Sequence, residues 1–101
     1  MSNRFGDKIK DLRVANKWLQ REIANQLSLD TPMLSKIERG DRKAKKEQIP
    51  LLAKIFHVAE AELMTLWLAD QVIELIGYEE NALKAMEVAE EEIKYIQKKT
   101  R

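Results

Sequence analysis

Apolar positions recur along this chain at helical spacing, and the breaks between them fall at turn-forming residues. Phe5, Ile9 and Leu12 are four and three apart, which predicts an amphipathic first helix over residues 4–16, ended by Asn16-Lys17. Trp18 follows and is expected to pack between the first and second helices. Ile23, Ala24 and Leu27 share one face of a second helix, and Ser28-Leu29 interrupts the pattern. Asp30 is a good N-cap for a third helix. Pro32 falls in that helix's first turn, where its missing N–H is harmless. Leu29 and Leu34 flank the cap as a hydrophobic staple. Leu34 and Ile37 carry the inward face onward, and Gly40 stops the helix.

Residues 47–56 form a fourth helix, with Pro50 near its start and Leu51, Leu52, Ile55 and Phe56 facing inward. His57 is placed to cap its C-terminal end. Glu60 to Ile76 is strongly helical, and its apolar residues cover more than one face, wider than a surface helix needs. Gly77 breaks the run. Tyr78 to Lys98 reads as a last helix in which Ala82, Met86, Ala89, Ile93 and Ile96 recur at four, three, four, three, a short heptad seam. That seam suits either a helix folding back on its own chain or a partner helix in a dimer.

Helix, short turn, helix and glycine stop from Gln20 to Gly40 is the layout of a helix-turn-helix. The segment from about Phe5 to Leu66 resembles the phage-repressor/Cro-type (Xre-like) family. The matching residues are Gln20, Ile23-Ala24, Leu27, Leu34-Ser35-Lys36 and Ile37-Glu38-Arg39-Gly40, extended by Leu52-Ala53-Lys54, Val58 and Glu62-Leu63. Two positions depart from the family. Leu19 stands where a Ser or Thr usually caps the second helix, and Ser28 where a Gly is usual in the turn. Each should weaken a local helix end by roughly 1 kcal/mol.

The resemblance implies a recognition helix at about residues 31–39 lying in the DNA major groove. Thr31, Pro32, Ser35 and Lys36 are then the base-reading candidates. Gln20, Arg39, Arg42, Lys43, Lys45 and Lys46 are the phosphate candidates, the last four belonging to a basic loop straight after Gly40. It also implies a structural ion pair between Arg13 and Glu38.

Charge sharpens this picture. The formal net charge is +1. Yet Met1–His57 holds 13 Lys/Arg against 7 Asp/Glu, and Val58–Arg101 holds 5 against 10. A basic front and an acidic back suit a molecule with one end on phosphates. Cys is absent, which excludes a disulfide framework and thiolate metal sites. His57, the single His, has no obvious Ser partner, and Glu90, Glu91 and Glu92 are consecutive, so they fan around a helix instead of converging. No phosphate-cradling Gly-rich loop and no metal-ligand spacing is present. No enzyme activity, cofactor or metal is therefore expected. Met1-Ser2-Asn3-Arg4 leads straight into a charged helix and no apolar run approaches a membrane span, so a cytoplasmic, nucleoid-associated protein is expected.

The expected fold is all-α: a five-helix repressor-type helix-turn-helix domain over residues 1–66 and a C-terminal helical extension over 67–101. The expected function is sequence-specific transcriptional regulation by a homodimer on double-stranded DNA with a roughly palindromic operator, as in phage-type repressors and restriction-modification controller proteins. The alternative is an antitoxin or protein-interaction adaptor on the same fold. Leu63, Trp67, Val72 and Ile76 are the candidate dimer-interface residues, because apolar residues beyond the fifth helix's own core contacts would otherwise form a large exposed patch.

Overall fold

The computed structural model describes residues 3–100, which form six helices: α1 (Arg4–Ala15), α2 (Gln20–Gln26), α3 (Thr31–Arg39), α4 (Gln48–Phe56), α5 (Glu60–Ile76) and α6 (Ala82–Lys99). The expectation of no leader rests partly on Met1 and Ser2, which lie outside the described residues. The chain is all-α, as the periodicity predicts.

The helix ends follow local chemistry. The Asp30 carboxylate accepts from the Met33 N–H at 2.8 Å, capping α3. Gly40 takes φ +83°, and a Schellman pair closes the helix: Gly40 N–H to the Ile37 carbonyl and Asp41 N–H to the Lys36 carbonyl. At the two departures from the family, the backbone adopts the usual geometry with the unusual residue. Leu19 offers no side-chain cap, so only half a capping box forms, with Glu22 Oε1 accepting from the Leu19 N–H at 2.8 Å. Ser28 sits at φ +58°, and His57 at φ +56° ends α4 in the left-handed region.

Phe5, Ile9, Ile23, Ala24, Leu27, Leu34, Ile37, Ile49, Leu52, Phe56 and Leu63 form one buried core, joining the first five helices. Trp18 is half-buried against it. Two expectations are corrected. In α4 it is Ile49 that points inward, while Leu51 is exposed, because the face packed on α1 and α5 runs 49, 52, 53, 56. The last helix begins at Ala82 instead of Tyr78. The Gly77–Asn81 stretch is taken up by successive turns, with Glu79 N–H bonding the Ile76 carbonyl and Ala82 N–H the Glu79 carbonyl.

The boundary expected at residue 66 falls inside α5, which is fastened to the rest along its length. Asp70 accepts from the Arg4 and Phe5 N–H groups at 3.0 and 2.9 Å, capping α1 from across the molecule. Trp67 Nε1 donates to the Ala44 carbonyl at 2.9 Å. No residue of α6 is buried.

Asp70→Ala should remove the cap of α1 and cost about 1 kcal/mol, read as a lower midpoint in urea unfolding. An unchanged midpoint would mean that water replaces the carboxylate at no cost.

Candidate nucleic-acid interface

The inward face of α3 is fixed by Leu34, Ile37 and Glu38, all buried. Glu38 is 4% exposed, and its carboxylate is shared among three helices. From α1, Arg13 Nε donates to Oε2 at 2.7 Å and Nη2 to Oε1 at 3.0 Å; from α2, Gln20 Nε2 donates to Oε1 at 3.0 Å. Arg13 Nη1 also donates to the Trp18 carbonyl at 3.1 Å. The expected Arg13–Glu38 pair is thus present as a two-point fork. Asn3 Nδ2 donates to the Glu38 carbonyl at 2.7 Å, so the start of α1 lies on the end of α3. Gly6 permits this approach, because a Cβ there would stand 2.5 Å from the Ile37 carbonyl oxygen.

With that face buried, the opposite one is presented to solvent. Thr31, Pro32, Lys36 and Arg39 are exposed, and Met33 and Ser35 are half-buried. All four base-reading candidates therefore lie on one helix, with three of them exposed. Arg39 is held along α3: its Nη1 donates to Ser35 Oγ at 2.7 Å and its Nε to Asp41 Oδ2 at 3.0 Å. Ser35 keeps its own O–H free to donate.

The phosphate candidates of the loop divide into two groups. Arg42, Lys45 and Lys46 are exposed on the loop between α3 and α4, around the buried anchor Ala44. The loop is shaped from within by Gln48, whose Oε1 accepts from the Lys45 N–H at 2.9 Å. Lys43 is turned the other way: its ammonium lies 5.8 Å from the Trp67 ring centroid and 3.4 Å from Gln71 Oε1 on α5. Gln20 is half-buried, with one amide N–H spent on Glu38 and the other still available.

The four dimer candidates also separate. Leu63 is fully buried in the core of its own chain, on the face of α5 turned to α1 and α4, and cannot also meet a partner. Trp67 is half-buried with its N–H already bonded to Ala44. Ile76 is half-buried and Val72 is exposed. Several residues that hold the site escaped the sequence reading. Asp41 is a near neighbour of Arg39 in sequence and could have been suspected. Gln48 stands three residues after Lys45, the spacing at which a Gln side chain reaches back to a backbone N–H, whereas Asn3 and Asp70 act through long-range contacts that no spacing rule exposes. Among the described residues no group of His, Asp or Glu side chains could hold a metal ion, and no helix is long and apolar enough to cross a membrane.

A family model described as helix-turn-helix matches residues 9–63, more than half of the chain. The chain belongs to the helix-turn-helix family, of the phage-repressor type. Among curated proteins, it is 36% identical over 61 residues to the cryptic phage CTXphi transcriptional repressor RstR of Vibrio cholerae, a match covering 60% of this chain and 55% of that protein. The chain thus spans about half the length of the curated relative it matches. No solved structure gives a significant match. The match covers α2, the turn, α3 and α4, so the family's defining segment is the one whose geometry is given above.

Glu38→Ala should leave Arg13 largely buried without its carboxylate and cost about 3–5 kcal/mol. Thermal melts read this as a fall in Tm of roughly 10 °C or more. A shift of a degree or two would show that the guanidinium finds water or another acceptor.

Proposed function

We propose that this protein is a sequence-specific DNA-binding transcriptional regulator, a repressor by analogy with the relative's printed name, that acts as a homodimer on a roughly palindromic site. The observation that carries the reading is the exposed face of α3. Thr31, Pro32 and Lys36 stand free on a short helix whose other face is locked by a buried ion pair, with a basic loop beside its C-terminal end.

Each part has a chemical use on DNA. α3 enters the major groove with its N-terminal end toward the base edges. Lys36 suits guanine O6 and N7, Thr31 can donate or accept, and Pro32 offers apolar contact to a thymine methyl. Arg39, Arg42, Lys45 and Lys46 follow the phosphates, and Gln20 adds an amide N–H from the start of α2. The short side chains at the start of α3 leave more of the specificity to DNA shape. Two copies related by a two-fold axis would place two recognition helices about 34 Å apart, one turn of DNA. The acidic second half of the chain then lies away from phosphate.

Two measurements test this. Neutralising on the order of 6–10 phosphates per dimer predicts a loss of about 10³–10⁵ in affinity between 50 and 200 mM salt. A flat titration would remove the DNA reading. Lys36→Ala should cost about 1–3 kcal/mol at one base position and relax specificity there, whereas Lys46→Ala should weaken operator and random DNA alike. Equal losses on both DNAs for both variants would overturn the division into base and phosphate contacts.

A further inference from the structure

The outer face of α5 carries a stripe that its own chain leaves uncovered. Ala61, Thr65, Leu68, Val72 and Leu75 recur at four, three, four, three, and all five are exposed. No charge interrupts the stripe. Its one polar group is satisfied internally, since Thr65 Oγ1 donates to the Ala61 carbonyl at 2.7 Å. The α6 seam of Ala82, Met86, Ala89, Ile93 and Ile96 has the same spacing, and from Met86 onward it is also exposed. The two helices are nearly equal in length, 17 and 18 residues. Single exposed apolar residues need no explanation, but two continuous stripes of matched period do.

The stripes fit each other in one direction. Laid antiparallel with Val72 opposite Met86, Leu75 meets Ala82, Leu68 meets Ala89, Thr65 meets Ile93 and Ala61 meets Ile96. Three of these layers set a large aliphatic side chain against an alanine, the alternation that lets facing helices interdigitate. Charge agrees at one end. α5 carries Glu60, Glu62, Asp70 and Glu74 and no Lys or Arg, while α6 holds Glu87, Glu90, Glu91 and Glu92 in its middle and ends on Lys94, Lys98 and Lys99. The antiparallel arrangement brings that basic end to Glu60 and Glu62, of which Glu62 is also reached by Lys8. It opposes the two helix dipoles as well.

The chain's own α6 does not occupy the stripe. Gly77 N–H to the Ile73 carbonyl, Glu79 N–H to Ile76 and Ala82 N–H to Glu79 hold the connection in turns, and no residue of α6 is buried. We infer that the α5 stripe of one copy is covered by α6 of a second copy, each lending its last helix to the other in a swapped dimer. A two-fold axis makes the exchange reciprocal, so one pairing is buried twice. This inference rests on the homodimer reading above and specifies its contact.

The chain has no Cys, so introduced thiols can pair only with each other. Val72→Cys and Met86→Cys chains, co-expressed and oxidised, should give a covalent dimer containing one of each, while neither variant alone should cross-link. A Val72→Cys/Met86→Cys double variant that oxidises to a monomer with an internal disulfide would place α6 back on its own chain and overturn the exchange. Cross-linking of Val72→Cys with itself would overturn it in favour of α5 against α5. Sedimentation of the unmodified chain separates the two levels of the claim. A dimer without the 72–86 cross-link removes the swapped pairing and leaves the homodimer; a monomer at micromolar concentration removes both. Leu68→Glu is exposed in the single chain, so it should halve the sedimenting mass without loss of helix content.

Discussion

One buried carboxylate decides how this molecule faces its surroundings. Glu38 lies in the interior with its carboxylate satisfied, because Arg13 donates to it twice and Gln20 donates to it once. Such a pair contributes little net stability against an apolar substitute, since desolvation offsets most of the attraction. Its consequence is directional. A fork of hydrogen bonds from α1 and α2 allows α3 one rotation about its axis, whereas Leu34 and Ile37 alone would tolerate small rolls. With Glu38 inward, Lys36 and Thr31 are left outward. The helix end is fixed at the same time, because Asn3 reaches the Glu38 carbonyl and Gly6 lets α1 approach it.

What could be read without coordinates was the part that local rules govern. Helix periodicity, the Asp30 cap and the Gly40 stop each act over four or five residues, so the segment from Gln20 to Gly40 was legible almost residue by residue. The errors arose where a local rule was indifferent. Leu51 and Ile49 are both large and apolar, and the packing of α4 against α1 and α5 decides which of them faces inward. Tyr78 to Asn81 contains no residue forbidden to a helix, yet the chain turns there. Leu63 lies beside the residues of α5 that face solvent, and only the position of α1 and α4 consigns it to the core. Long-range ties such as Asp70 capping α1, 65 and 66 residues away, have no signature in sequence spacing.

The same limit applies to charge. Counting Lys and Arg after Gly40 gives a basic loop, but a count treats its members as equivalent. Packing does not. Ala44 is buried and anchors the loop, so the residues on either side diverge: Arg42, Lys45 and Lys46 project outward, and Lys43 turns onto Trp67 and Gln71. A cation over an indole ring and beside an amide oxygen is less available to a phosphate than one in open water. The basic loop is therefore partly a fastening between α3 and α5.

That fastening gives α5 its place in the design. Its inner face carries Leu63 in the core, Trp67 bonded to the loop after α3, and Asp70 on the first turn of α1, which itself abuts the end of α3. Its outer face carries an uncharged stripe from Ala61 to Leu75. A helix tied at three levels to the framework of α3 cannot tilt without disturbing α3. A second copy docked on the outer stripe, as proposed, would therefore set the direction in which α3 points and the distance between the two copies of α3. DNA presents successive major-groove faces at a fixed interval. The ties of α5 thus form a physical link between the proposed apolar contact in the acidic half of the chain and the exposed face of α3 in the basic half.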